Sequence, residues 1–448
     1  MSTGSNSIRV GRCLSVLAGL ILMIAVDVLD VIGGERTPAM LRYCIVTAGC
    51  ALMVMGIALR GSGALAVLAN FSLVILSCAM VVTLAELLCR VGGHNFSRRP
   101  APGDEVPIYY RAPSFHAGEG VFRRPGPASW EGRVLSAYMR VQGWSELPYA
   151  DERPVRVDYD QFGFRNPTNL VAWDIVVTGD SFVELGYLAY EDLFTTLAGQ
   201  RLGSRIKNLG VSTTGPISQT FYLKHYGRSP STKIAVLCFF EGNDLEDLRR
   251  ERRQIEAFRA TGRPWEDNYQ PSLLKALAER VVAPPRSPEG GSVPMRTNAF
   301  LQSGGREFPI TTFGRSPPAW GRLSQKSREE LVEALSDWAA TAHSLGLTPH
   351  VMYLPDGQRV FTGLVRYADP ERGASTRSVD DFSSGLGAAC TNVGIGFINA
   401  FPALRQAAES GHLPYNVFGD GHLTREGSQI VADVLAGALD SGLSAPKR

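Results

Sequence analysis

Between residues 174 and 440 the chain alternates short, β-branched apolar runs with longer amphipathic stretches, and few architectures accept that alternation. Asp174-Ile175-Val176-Val177 is too short and too β-branched for a helix. Strands are expected at 174–178, 206–209 (IKNL), 233–240 (KIAVLCFF), 349–354 (PHVMYL) and 395–398 (IGFI). Helical patterns fall near 191–203, 216–227, 326–345, 378–392 and 425–440. Strands separated by helices predict a parallel sheet covered on both faces, and five strands fit one doubly wound α/β domain.

One stretch, at about 245–324, interrupts the alternation. It opens with a charged helical run (DLEDLRRERRQIEAFRATGR) and becomes rich in Pro, Gly and Ser (APPRSPEGGSVP). So long a connection inside a compact domain reads as a lid or a disordered insertion. The charge run by itself reads as a solvated helix face, and its place directly after a candidate site residue makes it a candidate cap over the pocket.

The first ninety residues hold three apolar runs, at 14–26, 43–59 and 64–85. The third is long enough to span a bilayer, and the second is near the lower limit. The first reaches spanning length only by including Asp27 and Asp30, whose charges must then lie near an interface or face other helices. Residues 1–90 are therefore expected to form a multi-pass membrane anchor of about three transmembrane helices, in contact with lipid. The alternatives are a signal peptide for the first run and a buried helical hairpin for the other two. No small-x-small cleavage site follows the first run, and an apolar hairpin without amphipathic faces needs a large partner core. With the amino terminus in the cytoplasm, Arg9, Arg12 and Arg60 lie inside, against Arg36, Arg42, Arg90, Arg98 and Arg99 outside. That count leans against an external domain.

Residues 91–157, rich in Arg, Pro, Gly and aromatics, read as a linker and packing segment with a few short strands. Its arginines could meet anionic lipid or an acidic polysaccharide, although solvated charge beside a membrane is commoner. A formal net charge of +2 gives no sign of a nucleic-acid partner. Of seven cysteines, Cys238 and Cys390 alone fall in the large domain, where they read as buried free thiols. No metal-type spacing, phosphate loop or dinucleotide fingerprint is present, so no cofactor or metal is expected.

Chemistry is carried by three stretches. In WDIVVTGDSF the first apolar run ends in Gly179-Asp180-Ser181, a turn expected to lift Ser181 to the carboxyl end of a strand, where open α/β sheets bind ligands. Gly-Asp-Ser alone is ordinary turn chemistry. Serine needs a base to take its proton and a third group to orient that base. Of the seven histidines, His422 lies in the Gly-rich loop FGDGHLTREG before the last helix, two residues after Asp420. His94 and His116 lie in the linker, and His225, His343, His350 and His412 sit in or beside expected helices or strands without a comparable acid, so all six read as packing or surface residues. FFEGND then places Asn243 after the central strand, where a carboxamide can donate to an oxyanion.

In that order, Gly179-Asp180-Ser181-Phe182, Gly242-Asn243-Asp244 and Asp420-Gly421-His422 resemble the blocks of the SGNH (GDSL-type) hydrolase family over roughly residues 158–440. The DYDQFGFRNP stretch and FFEGND look like a membrane-anchored branch often associated with acyl groups on surface polysaccharides. The resemblance implies an SGNH, flavodoxin-like fold with Ser181 as nucleophile, His422 as base and Asp420 as its orienter. It implies an oxyanion hole made by the Ser181 N–H, a second-block glycine N–H and the Asn243 side chain. NLGVSTTGP offers Gly210 or Gly215 for that glycine, Gly215 being favoured, with Thr213 standing where a glycine is expected. The last block reads Asp-x-His where many members have Asp-x-x-His.

The function implied is a membrane-anchored serine esterase with its catalytic domain outside the cytoplasm, acting on acyl esters of a carbohydrate beside polysaccharide-modification partners. One rival passes the acyl group to a sugar hydroxyl, as an O-acyltransferase. Another is a non-catalytic subunit that binds glycan or a partner.

Overall fold

The computed structural model describes residues 107–110, 113–116, 119–134, 153–262, 299–310, 317–367, 382–417 and 421–443. The expected membrane anchor at 1–90, residues 263–298 of the insertion, and Asp420 lie outside the described residues. Among the described residues no helix is long and apolar enough to cross a membrane.

Five parallel strands form the central sheet: β1 (Ile175–Gly179), β2 (Ile206–Gly210), β3 (Ile234–Phe240), β4 (Thr348–Leu354) and β5 (Gly396–Asn399). The alternation predicts five parallel strands, and they lie in the order β5-β4-β3-β1-β2. The chain runs from β1 outward to β2 and then crosses back to place β3 on the other side of β1. The gap between the carboxyl ends of β1 and β3 is thus the topological switch point, where doubly wound sheets leave a crevice.

Strand residues alternate between two cores with period two. Ile175, Val177, Val236, Cys238 and Met352 face one core, whereas Val176, Ala235, Leu237, Phe239 and Val351 face the other. Helices α2 (Phe194–Leu202), α7 (Phe401–Glu409) and α8 (Arg425–Leu443) cover the first. Helices α3 (Pro216–Tyr226), α5 (Gln325–Ser344) and α6 (Phe382–Asn392) cover the second. In α5 the buried positions Leu331, Leu335, Trp338 and Ala342 recur every three or four residues and form a single stripe. Ser324 caps its start by accepting from the Ser327 N–H at 3.1 Å. Each fully buried large side chain of this kind contributes roughly 1.5–3 kcal/mol.

A four-residue turn, α1 (Ser181–Glu184), leaves β1, and α4 (Asp244–Thr261) follows β3, beginning the expected charged run. Arg249 and Arg252 on α4 pair with Glu330 and Glu333 on α5. This arginine-rich helix is thereby tied to the domain along one side. Within 299–310, Ala299–Ser303 and Arg306–Ile310 form an antiparallel hairpin that also pairs with Val365–Tyr367, a small sheet beyond what the alternation predicts. Gly304 and Gly305 make its turn with φ of +55° and +73°, the left-handed pair a two-residue hairpin requires. Helix α7 is a second addition, with Pro402 in its first turn, where proline is tolerated.

The segment before the domain packs onto it. Ala128–Gly132 pairs with Val155–Tyr159, and Ile108, Tyr109, Val157 and Tyr159 are buried in the first core. Cys238 and Cys390 are both buried free thiols, as expected.

Candidate active site

Gly179 and Gly210 are register partners at the ends of β1 and β2. The sharp turn expected at Gly179 needs no left-handed backbone; the reason for glycine is close approach. A Cβ at Gly179 would come within 2.3 Å of Val183, and one at Gly210 within 2.3 Å of the Glu184 backbone N. Two bare backbones let α1 settle into the groove between β1 and β2. Asp180 caps that turn, its Oδ1 accepting from the Phe182 N–H at 2.9 Å. Ser181 is thereby placed at the carboxyl edge of the sheet, 8% exposed.

His422 arrives there from the other end of the chain. Its Nε2 lies 2.7 Å from Ser181 Oγ. The loop carrying it is braced: Asn416 N–H donates to the His422 carbonyl at 2.8 Å, Thr424 N–H donates to the Pro414 carbonyl at 3.0 Å, and the Tyr187 hydroxyl donates to the Leu423 carbonyl. Phe182 packs against the imidazole with ring centroids 4.6 Å apart, and Tyr109 meets it edge-on at 5.8 Å. Phe182 itself stacks on Phe240, at the end of β3, at 3.7 Å. Rings thus hold the imidazole on two sides and leave Nε2 directed at the hydroxyl.

Asn243 opens α4 at the end of β3, across the switch point from Ser181. Its Nδ2 donates to Asp180 Oδ2 at 3.1 Å and to Asp247 Oδ2 at 2.7 Å. Both amide hydrogens therefore face carboxylates in this state. Asp180, Asp244 and Asp247 converge beneath the serine, with one oxygen from each within 4.8 Å of the others. That spacing is within reach of a single cation, yet the carboxylates already receive the Asn243 amide and the N–H groups of Phe182 and Phe240. Burial raises Asp244 well above the usual carboxylate range, and the charges of Asp180 and Asp247 add to the effect. Burial also raises Asp180, against the pull of the Phe182 N–H and of His422. Asp247 is pushed up to about 7, chiefly by burial, with Arg250 opposing. Crowded carboxyls in a dry site relieve repulsion by holding protons.

In the second block Gly215 and Thr213 stand in different backbone conformations. Gly215 precedes α3 with φ −105°. Glu251 Oε2, raised by burial, accepts from the N–H groups of Ile217 at 3.1 Å and Ser218 at 3.4 Å just after it. A Cβ on Gly215 would lie 2.6 Å from the Leu248 backbone N, so this glycine permits α3 to pack on α4. Thr213 instead carries the left-handed backbone, with φ +60°. For a β-branched residue that conformation is an outlier costing on the order of 1–3 kcal/mol, and it persists where surroundings over-determine it. Neither the Thr213 N–H nor the Ser181 N–H has an acceptor among the described residues. Val211 N–H donates to the Gly179 carbonyl at 3.1 Å, so the second-block loop leaves the sheet beside the serine turn.

Ser181, His422 and Asn243 are therefore brought together, Asn243 through Asp180. Asp420 lies outside the described residues. Sequence reasoning passed over Glu184, three residues after the serine, and Arg124 in the preceding segment, which form a buried ion pair at 2.5 Å. A carboxylate inside the apolar run SFVELGYL was the available signal.

No protein-family model and no curated protein matches this chain. Solved structures do match along its course. A protein assigned to the lipolytic G-D-S-L family, from Desulfitobacterium hafniense, is 10% identical with a TM-score of 0.31, covering 59% of this chain and 99% of its own. A carbohydrate esterase family 2 enzyme from Corynascus (Myceliophthora fergusii) is 11% identical with a TM-score of 0.32, covering 63% and 70%. An acetyl xylan esterase from Butyrivibrio proteoclasticus is 10% identical with a TM-score of 0.28, covering 65% and 67%. What the site does is read from its own residues.

Proposed function

We propose that this chain is a serine esterase that hydrolyses acyl esters through an acyl-enzyme. The observation carrying the reading is the 2.7 Å approach of His422 Nε2 to Ser181 Oγ at the switch point of the sheet. A buried serine hydroxyl needs no imidazole for packing, whereas a nucleophile needs a base at that distance.

In the reaction, Ser181 Oγ attacks the ester carbonyl carbon while His422 Nε2 takes the hydroxyl proton. The oxyanion is received by the N–H groups of Ser181 and Thr213, the second being assigned to Thr213 in place of Gly215. As the tetrahedral intermediate collapses, His422 returns the proton to the departing alcohol, and the acyl group stays on Ser181. Water, deprotonated by His422, then attacks the acyl-enzyme; the bond from Ser181 Oγ to the acyl carbon breaks, His422 returns the proton to Oγ, and the acid leaves. Asp420 is proposed to orient the imidazole through Nδ1. Asn243 joins the oxyanion hole only if its amide turns from Asp180 and Asp247 when substrate binds.

The sequence resemblance supports an O-acyl group on a carbohydrate as substrate, and the three apolar runs support a membrane anchor with an extracytoplasmic domain. Labelling of the purified full-length protein with a fluorophosphonate tests the nucleophile. The wild type should label and Ser181→Ala should not; equal labelling of both would remove Ser181 from the role.

A further inference from the structure

Thr213 holds a conformation that glycine adopts freely and threonine resists, so something beside it must hold it there. The residue before it and the carbonyl after it are both gripped. On one side, the Ser212 N–H and hydroxyl each donate to Glu184 Oε2 at 2.5 Å. On the other, the Arg250 guanidinium donates to the Thr213 carbonyl.

Glu184 is fully buried and closes the same helical turn that Ser181 opens. Besides Ser212 it receives Arg124 Nε on Oε1 at 2.5 Å, Arg124 Nη2 on Oε2 at 3.2 Å, and the Tyr159 hydroxyl. Arg124 spends further hydrogens on the carbonyls of Ile108 at 2.8 Å and Tyr109 at 2.7 Å. The ring of that same Tyr109 lies against His422. One buried ion pair therefore connects the serine turn, the second-block loop and the wall behind the imidazole.

We propose that the Arg124–Glu184 pair is the positioning device of the oxyanion hole: by holding Ser212, it keeps Thr213 left-handed so that its N–H faces the oxyanion formed at Ser181. This deepens the esterase reading and rests on it. The pair touches no substrate atom. The segment before the hydrolase domain, which supplies Arg124, is on this account a working part of the site.

The test is a rescue experiment on full-length protein with p-nitrophenyl acetate as substrate, reading kcat and KM separately. Glu184→Gln keeps the side chain's size but turns an N–H₂ toward Ser212, so kcat should fall by about 10²-fold, the usual effect of losing one oxyanion donor, with KM little changed. Thr213→Gly retains the backbone N–H and removes the resistance to positive φ. Added to Glu184→Gln, it should recover at least about tenfold of the lost kcat, since glycine no longer needs to be held. A purely structural ion pair would give no such rescue.

A double variant as slow as Glu184→Gln, or a Glu184→Gln enzyme with wild-type kcat, would overturn the inference. Where Glu184→Gln does not fold by thermal melting, Ser212→Ala removes one of the two bonds to Glu184. Its smaller loss of kcat should likewise be recovered by Thr213→Gly, and absence of recovery overturns the inference equally. Wild-type turnover that survives Ser181→Ala would overturn the esterase reading, and this inference with it. Turnover lost in Ser181→Ala without rescue in the double variant overturns the positioning role alone.

Discussion

His422 Nε2 reaches Ser181 Oγ at 2.7 Å although the two stand 241 positions apart in the chain, because a strand end and a braced loop meet on one sheet edge. Two groups that act as one unit lose most of their effect when either is removed. Ser181→Ala and His422→Ala should each lower ester hydrolysis by roughly 10⁴-fold or more, and the double variant should be little worse than either. Steady-state rates on p-nitrophenyl acetate check this. Losses that multiply would mean that the two residues work independently.

The groove between β1 and β2 makes a second prediction. A methyl group at Gly210 would meet backbone atoms of Glu184 and Val183 at 2.3 and 2.6 Å, which cannot swing aside as a side chain can. Gly210→Ala should destabilise the domain by about 1–3 kcal/mol and move α1, lowering kcat as Ser181 and Glu184 shift. Gly437 in α8 has open space where a Cβ would stand, so Gly437→Ala serves as control and should stabilise by about 0.5–1 kcal/mol. Urea unfolding compares the two; equal responses would dismiss the steric account.

Much of this fold was legible because its strands are buried on both faces. Ile234–Phe240 reads as an unbroken apolar run since each side of it meets a layer of helices. The same periodicity located α5 within one residue at either end. Ser181 and His422 were legible because polar, Gly-rich ends of apolar runs mark the sheet edge. In the second block the resemblance favoured Gly215, while the residue with the left-handed backbone is Thr213. Local preference fails there because bonds from Glu184 and Arg250, distant in sequence, override it. The Gly304-Gly305 hairpin carried a usable signal, hidden inside a stretch whose Pro and Gly content suggested no structure.

The third block rests on its own buried pair. Arg359 Nε donates to both oxygens of Glu241 at 2.7 and 2.9 Å, and Glu241 also receives the Tyr353 hydroxyl at 2.8 Å and the Asp356 N–H at 2.7 Å. Arg359→Met would leave Glu241, 3% exposed, without its countercharge and should cost about 3–5 kcal/mol. Adding Glu241→Gln should return part of that stability by removing the stranded charge. Denaturant titrations of the single and double variants decide it. A double variant weaker than Arg359→Met would show that hydrogen bonding, more than charge, holds the block.

The carboxylates beneath Ser181 make stability depend on pH with a definite sign. Asp247 has an ordinary carboxyl value of 3.8 and is raised to about 7 in the folded chain. Between those values the folded state binds a proton that the unfolded state has released, so stability falls as pH rises through the window. One such proton gives a slope of at most about 1.4 kcal/mol per pH unit. Asp180, Asp244 and Glu251 are raised in the same direction, and burial is the largest cause at each, so the whole site favours mild acid for folding. Asp247→Asn retains an acceptor for the Asn243 amide but cannot titrate. Its unfolding free energy should therefore change less than that of the wild type between pH 5 and about 7, and the two curves should run parallel at higher pH. Urea unfolding at a series of pH values measures both slopes. A variant as steep as the wild type would place the titrating proton elsewhere in the cluster.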